Sequence, residues 1–134
     1  MTIQWTRALA VGNEEIDAQH QELFRRLGSL LDAMIRGDTS DVARLFEFLG
    51  SYVVEHFGAE ERLMRESAFP GFVVHKAAHD RFVRDLEDLR KMLDAHGATS
   101  AVTIRTKTWI VDWLKSHIAG TDQLLARHLV GRVA

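Results

Sequence analysis

Apolar residues recur every three or four positions along most of this chain, which is the spacing that gives an α-helix one apolar face. Four such runs are separated by turn residues, and each predicts a helix with one buried face. Their apolar positions are, in order, Leu23, Phe24, Leu27, Leu30, Leu31 and Met34; Leu45, Phe46, Leu49, Val53, Phe57, Leu63 and Met64; Phe72, Val83, Leu86, Leu89 and Leu93; and Val102, Trp109, Ile110, Trp113, Leu114, Ile118, Leu124, Leu125 and Leu129. Strand-like alternation is missing.

Capping and turn residues predict where these helices begin and end. We expect Asp17 to cap the first helix and Gly37 to end it, and Gly97 to end the third. The remaining boundary signals are Asp38 with Thr39, Phe69-Pro70-Gly71, and Thr99 with Ser100. Short connections favour antiparallel neighbours. The expected fold class is therefore all-α, an up-down-up-down antiparallel four-helix bundle with an irregular N-terminal arm.

Length, charge and composition narrow the function classes. A chain of 134 residues fits one domain, 1–134. Its net charge of −2 provides no basic field for nucleic acid or an anionic membrane. Without a signal peptide pattern or a spanning apolar segment, we expect a cytoplasmic protein. The absence of cysteine excludes disulfides and thiolate metal sites, and it leaves histidine and carboxylate as metal ligands.

Histidines fall on the predicted core faces. Helix residues four apart lie on one side of the axis, so a single metal ion can contact both members of such a pair. His56 with Glu60 and His75 with His79 form two pairs, while the first and last helices each add a histidine. The candidate ligands are His20, His56, Glu60, His75, His79 and His117.

Any one of these histidines, taken alone, is more often an ordinary hydrogen-bonded core residue. Together, five imidazoles and a glutamate without metal would leave buried polar groups unsatisfied, at about 1 to 3 kcal/mol each. Metal coordination removes that cost. His96, at a predicted helix end, and His128, about 16 Å along the axis from His117, are excluded from the site.

A series of motifs runs nearly from end to end of the chain: Trp5, Val11-Gly12, Ile16-Asp17-x-Gln19-His20, His56-Phe57-x-x-Glu60-Glu61, Met64, Pro70, His75-x-x-x-His79, Phe82, and Trp113-Leu114-x-x-His117-Ile118-x-x-x-Asp122. Together these motifs resemble the hemerythrin family, and within it the single-domain bacterial members. Phe69 departs from the pattern, because many relatives carry tyrosine before the proline.

The resemblance implies two non-haem iron ions per chain, joined by an oxo or hydroxo bridge, that bind dioxygen reversibly. It makes His75, His79 and His117 ligands of a saturated iron, and it makes His20 and His56 ligands of the iron with an open position. Glu60 and Asp122 would bridge the pair, and Leu114 would form part of the oxygen pocket wall. Five α-helical residues would turn Asp122 about 140° from His117, although Gly120 between them predicts an irregularity.

Other interpretations stay open at this point. A diiron enzyme acting on peroxide or nitric oxide is the first, although a histidine-rich site with one open position leaves little room for a second substrate. A bundle that binds zinc or no metal is the second. The third is oxygen sensing through a separate protein, for which the sequence indicates no interface. We therefore expect no enzyme activity and no catalytic residue.

Overall fold

The computed structural model describes residues 4–133, which form an antiparallel four-helix bundle. The first three helices are α1 (Glu14–Arg36), α2 (Thr39–Glu66) and α3 (Phe72–His96). The fourth stretch runs from α4 (Ser100–Trp113) through a π-helical segment (Leu114–Thr121) into α5 (Asp122–Val133). Successive helices pack side by side, and α4 returns to contact both α1 and α3. The predicted fold class is confirmed.

In the described part of the N-terminal arm, residues 4–13, the backbone is irregular apart from a single 3₁₀ turn at Arg7–Leu9. The prediction that Asp17 caps α1 is wrong, because α1 begins earlier. Asn13 is the cap, and its side chain accepts a hydrogen bond from the Ile16 N–H at 3.1 Å. Asp17 lies in the first turn and accepts from the Val11 N–H at 2.8 Å instead, so it fastens the arm to the helix.

The other predicted boundaries agree with the structure. Asp38 accepts from the Asp41 N–H at 3.0 Å and caps α2, and Thr99 caps α4 by accepting from the Val102 N–H at 3.2 Å. Gly37 ends α1 with φ 72°, a left-handed conformation in which a side chain would be strained.

The core consists of the apolar faces predicted from the periodicity, with one exception in the fourth stretch. Leu124 was expected inside, yet 54% of it is exposed, while Leu125 next to it is fully buried. The π-helical segment adds a residue to the turn that precedes α5, so the buried positions after it shift by one. None of the described helices combines the length and apolarity needed to cross a membrane.

Candidate metal centre

Seven polar side chains meet inside the bundle, and each is at least 97% buried. They are His20 from α1, His56 and Glu60 from α2, His75 and His79 from α3, His117 from the π-helical segment and Asp122 from α5. The structure therefore brings together all seven residues that the sequence and the resemblance indicated. His96 is exposed at the end of α3, and His128 donates to the Ser67 carbonyl oxygen at 2.8 Å, away from the cluster.

The two oxygens of Glu60 point to different histidines. Oε1 lies 2.5 Å from His75 Nε2 and 3.3 Å from His79 Nε2. Oε2 lies 3.2 Å from His56 Nε2 and 3.4 Å from His20 Nε2. Glu60 therefore stands between two groups of imidazoles, with one oxygen for each.

Asp122 divides its oxygens in nearly the same way. Oδ1 lies 3.0 Å from His75 Nε2 and 3.1 Å from His117 Nε2, whereas Oδ2 lies 3.2 Å from His20 Nε2. The cluster thus separates into a three-histidine group, formed by His75, His79 and His117, and a two-histidine group, formed by His20 and His56. Ligand atoms of Glu60, Asp122 and the three-histidine group lie within 4.8 Å of one another, as do those of Glu60 and the two-histidine group.

The π-helical segment explains how Asp122 reaches the same centre as His117. The Asp122 N–H bonds to the His117 carbonyl oxygen, five residues back, and this wider turn places residue i+5 nearly above residue i. In an α-helix the two side chains would point about 140° apart. Gly120, flagged as an irregularity in the sequence, lies inside the segment. The local change from α-helix to π-helix therefore lets the Asp122 side chain point into the cluster.

Many polar atoms of the cluster are buried without a hydrogen-bond partner. Within the described part of the chain, this holds for Nε2 of His20, His75, His79 and His117 and for all four oxygens of Glu60 and Asp122. Leaving such atoms unsatisfied costs about 1 to 3 kcal/mol each, and more for charged groups. Cations placed between them would satisfy every one. Imidazole nitrogen and carboxylate oxygen are donors that suit iron and zinc, so the residues fit a pair of such ions.

The electrostatics of the cluster also favour positive charge. Burial opposes ionisation of Glu60, but the imidazole nitrogens that surround its carboxylate outweigh this effect and hold the pKa of Glu60 well below its usual range. Burial likewise opposes protonation of His20 and His75, yet the close carboxylates of Asp122 and Glu60 raise the pKa of each histidine to about 9. Protons on these imidazoles therefore occupy the place of the charge that metal ions would bring.

Two neighbouring side chains fix the orientation of candidate ligand histidines, and the sequence patterns assigned these neighbours no role. The His56 Nδ1–H donates to Gln19 Oε1 at 2.7 Å, and the His79 Nδ1–H donates to Glu61 Oε2 at 2.9 Å. Each bond leaves Nε2 free to face the cluster. The sequence feature that could have identified these neighbours is their position beside candidate ligands, because Gln19 precedes His20 and Glu61 follows Glu60.

Aromatic rings cover the three-histidine group. Phe57 stacks on His79 with centroids 3.9 Å apart and planes 5° apart, and Trp113 stacks on His117 at 4.9 Å and 14°. Leu114 is half-buried and packs against the main apolar core beside them. These side chains restrict the imidazoles and keep water from one side of the cluster.

A family model and individual related proteins both place this chain in the same family. Residues 11–129 match the family described as Hemerythrin HHE cation binding domain. A bacteriohemerythrin of Aquifex aeolicus is 32% identical over 129 residues, which cover 96% of this chain and 98% of that protein. A bacteriohemerythrin of Methylococcus capsulatus is 34% identical over 108 residues, or 81% of each protein.

A solved structure of a wild-type hemerythrin has the same fold. It superposes with a TM-score of 0.83 at 31% identity, over 96% of this chain and 98% of that one. Sequence, fold and the buried cluster thus agree, and the chain belongs to the hemerythrin family.

Proposed function

We propose that this protein binds dioxygen reversibly at a dinuclear non-haem iron centre in the core of the bundle. The observation that carries the proposal is the division of the carboxylate oxygens, since Glu60 and Asp122 each offer one oxygen to each histidine group. A mononuclear site has no use for such a division, whereas two ions bridged by carboxylates require it. Relatives named bacteriohemerythrin, and a family of cation-binding domains, support the same conclusion.

The ligand roles follow from the two groups. His75, His79 and His117 would hold one iron, and His20 and His56 would hold the other, with Glu60 and Asp122 bridging the pair. Two six-coordinate ions have about twelve positions, of which five imidazoles and two bridging carboxylates fill nine. An oxo or hydroxo bridge would fill two more. The remaining position would belong to the iron that His20 and His56 would hold, as the family resemblance implies.

A pair of ferrous ions held by these residues would supply the two electrons that reversible dioxygen binding requires. The protein itself would orient the histidine ligands and exclude water and protons from the site. Gln19 and Glu61 hold the Nδ1–H of His56 and His79, which directs Nε2 inward. Leu114, one helical turn before His117, would form part of an apolar wall that keeps water and protons out.

We propose a binding protein rather than an enzyme. The donor set is rich in imidazole, and its one open position would be taken by dioxygen itself. A diiron enzyme acting on peroxide or nitric oxide needs room for further substrate, and no residue of this cluster is assigned a catalytic role.

Metal analysis combined with visible spectroscopy tests the proposal. We expect two irons per chain and a visible absorption band that forms when oxygen is added to the reduced protein. The band should disappear under vacuum and return with oxygen over several cycles. One metal per chain, zinc as the native metal, or steady turnover of peroxide or nitric oxide would overturn it.

A further inference from the structure

A groove of about 520 Å³ lies between α3 and the fourth stretch and reaches the buried cluster. Its lining includes His117, which is 3% exposed and is also one of the seven cluster residues. All seven are at most 3% exposed, so an ion from solvent has to pass through the protein to reach them. The groove shortens that passage, because it brings solvent to the edge of one candidate ligand.

The His117 imidazole presents a different nitrogen to each side. Its Nε2 is buried and lies 3.1 Å from Asp122 Oδ1 in the cluster. Its Nδ1 is not fully buried and makes no hydrogen bond with any described residue, so this is the nitrogen that the groove reaches. The Nδ1 atoms of His56 and His79, in contrast, are held by hydrogen bonds. The His117 ring is therefore less restrained than those two rings, and it offers a ligand atom to the groove.

Carboxylates outnumber cationic groups in the lining of the groove. Asp85 on α3 and Asp112 on α4 stand against the single Arg81, which leaves one net negative charge. Asp112 and Arg81 are exposed, and no ion pair among the described residues involves either of them. Asp85 accepts a hydrogen bond from the Trp109 Nε1–H at 3.3 Å, which holds its carboxylate at the groove. An acidic cleft concentrates cations, and carboxylate and imidazole are donors that suit ferrous iron.

Two other grooves lack this combination. The groove between α1 and α2 is lined by Arg25, Arg26 and Arg44 and by no carboxylate, so it repels cations. A smaller groove beside the start of α1 is lined by Glu15 and Glu66, but it contains none of the seven cluster residues. The groove at His117 combines a negative lining with direct contact to the cluster.

We propose that this groove is the route by which ferrous ions enter the bundle and load the cluster. The inference rests on the proposed function, because it requires iron at the cluster. Asp112 and Asp85 would take the ion from solvent, exchanging some of its water ligands for carboxylate oxygens. His117, whose Nδ1 no hydrogen bond restrains, would then turn and let the ion pass to the side where Glu60 and Asp122 lie. The ion stays ferrous throughout, and no electron is transferred.

The rate of iron loading tests this route. Iron-free protein is mixed rapidly with ferrous ions without oxygen, and unbound iron is trapped by a chelator at successive times. Asp112→Asn should slow loading about five- to tenfold, whereas Arg81→Gln should accelerate it about two- to fivefold, because it removes the opposing charge. Asp32→Asn is the matched control, since Asp32 is exposed on α1, which does not line the groove. Both effects should shrink as salt rises from about 0.05 M to about 0.5 M.

Iron release and iron affinity separate a route from a ligand. A residue that an ion passes, but that does not hold it at the end, changes entry and release by the same factor. Asp112→Asn should therefore slow chelator-driven release as much as loading and leave the affinity for iron unchanged.

Three outcomes would overturn the route. They are an unchanged loading rate in Asp112→Asn, equal slowing in Asp32→Asn, and slower loading that is accompanied by faster release. The iron content at saturation and the dioxygen band, measured on the same samples, report a failure of the proposed function independently. If the native metal proved to be zinc, loading with zinc would test the same groove with the same variants.

Discussion

The iron-free protein should lose stability as pH rises from about 6.5 to about 9. His20 and His75 have their pKa raised from 6.5 to about 9 in the folded cluster. A histidine that binds its proton more tightly when folded stabilises the folded state fully below its unfolded pKa. That contribution disappears as pH passes the folded pKa. Above it, Glu60 and Asp122 would face each other across neutral imidazoles.

The size of the effect follows from the shift. A rise from 6.5 to about 9 is about 2.5 pKa units, and each unit corresponds to 1.36 kcal/mol, so each histidine contributes about 3 kcal/mol. Both histidines share Glu60 and Asp122 as partners, so their joint contribution is smaller than twice this value. Even a single contribution of this size is a large part of the total stability of a domain.

Urea unfolding of the iron-free protein, followed by circular dichroism at pH 6.5, 8 and 9.5, measures the effect. His75→Gln should reduce the pH dependence, because glutamine cannot hold the proton. His96→Gln is the control, since His96 is exposed, and it should leave the dependence unchanged. With iron bound, the sign reverses: metal ions replace the protons, and acid releases iron and stability together. Stability of the iron-free protein that is flat or rises from pH 6.5 to 9.5 would refute this account of the cluster.

Three substitutions separate the roles of the site residues. Glu60→Ala removes oxygens shared by both histidine groups, so iron measured by mass spectrometry should fall to nearly none per chain. Glu61→Gln should lower iron affinity about 10- to 100-fold in chelator competition, because His79 loses its carboxylate partner. Leu114→Ala should keep two irons but accelerate autoxidation, seen as faster decay of the oxygenated spectrum. Glu47→Ala, an exposed position on α2, controls for the loss of a glutamate and should retain both irons. Normal iron in Glu60→Ala, unchanged affinity in Glu61→Gln, or an unchanged decay in Leu114→Ala would each contradict the corresponding role.

Much of the fold could be predicted because periodicity and turn residues act locally. Leu27, Leu49 and Leu89 are buried as their spacing indicated, and Gly37 ends its helix as expected. The start of α1 was misjudged because Asn13 and Asp17 are both good caps, and only the folded arm shows which one is used. The extent of the domain over 1–134 and a cytoplasmic location stay predictions.

The sequence predicted those site residues that are spaced four apart on one helix. His56 with Glu60 and His75 with His79 are four apart, which places each pair on one helix face. Asp122 depended on the family resemblance, because its distance along the chain from His117 suits no α-helix. Gly120 suggested an irregularity in the last helix, but a glycine alone does not predict the π-helical hydrogen bond between residues five apart. The roles of these residues as iron ligands stay predictions.

The π-helical segment is equivalent to an α-helix with one extra residue between His117 and Asp122. Deleting one exposed residue of the segment, such as Ala119, would place these two side chains four residues apart, which is the α-helical spacing that keeps both on one face. The segment could then relax to an α-helix with Asp122 still directed at the cluster. Inserting one residue there would instead place the pair six residues apart, a spacing that neither helix type brings to one face, so Asp122 should turn away from the cluster although no candidate ligand has been removed.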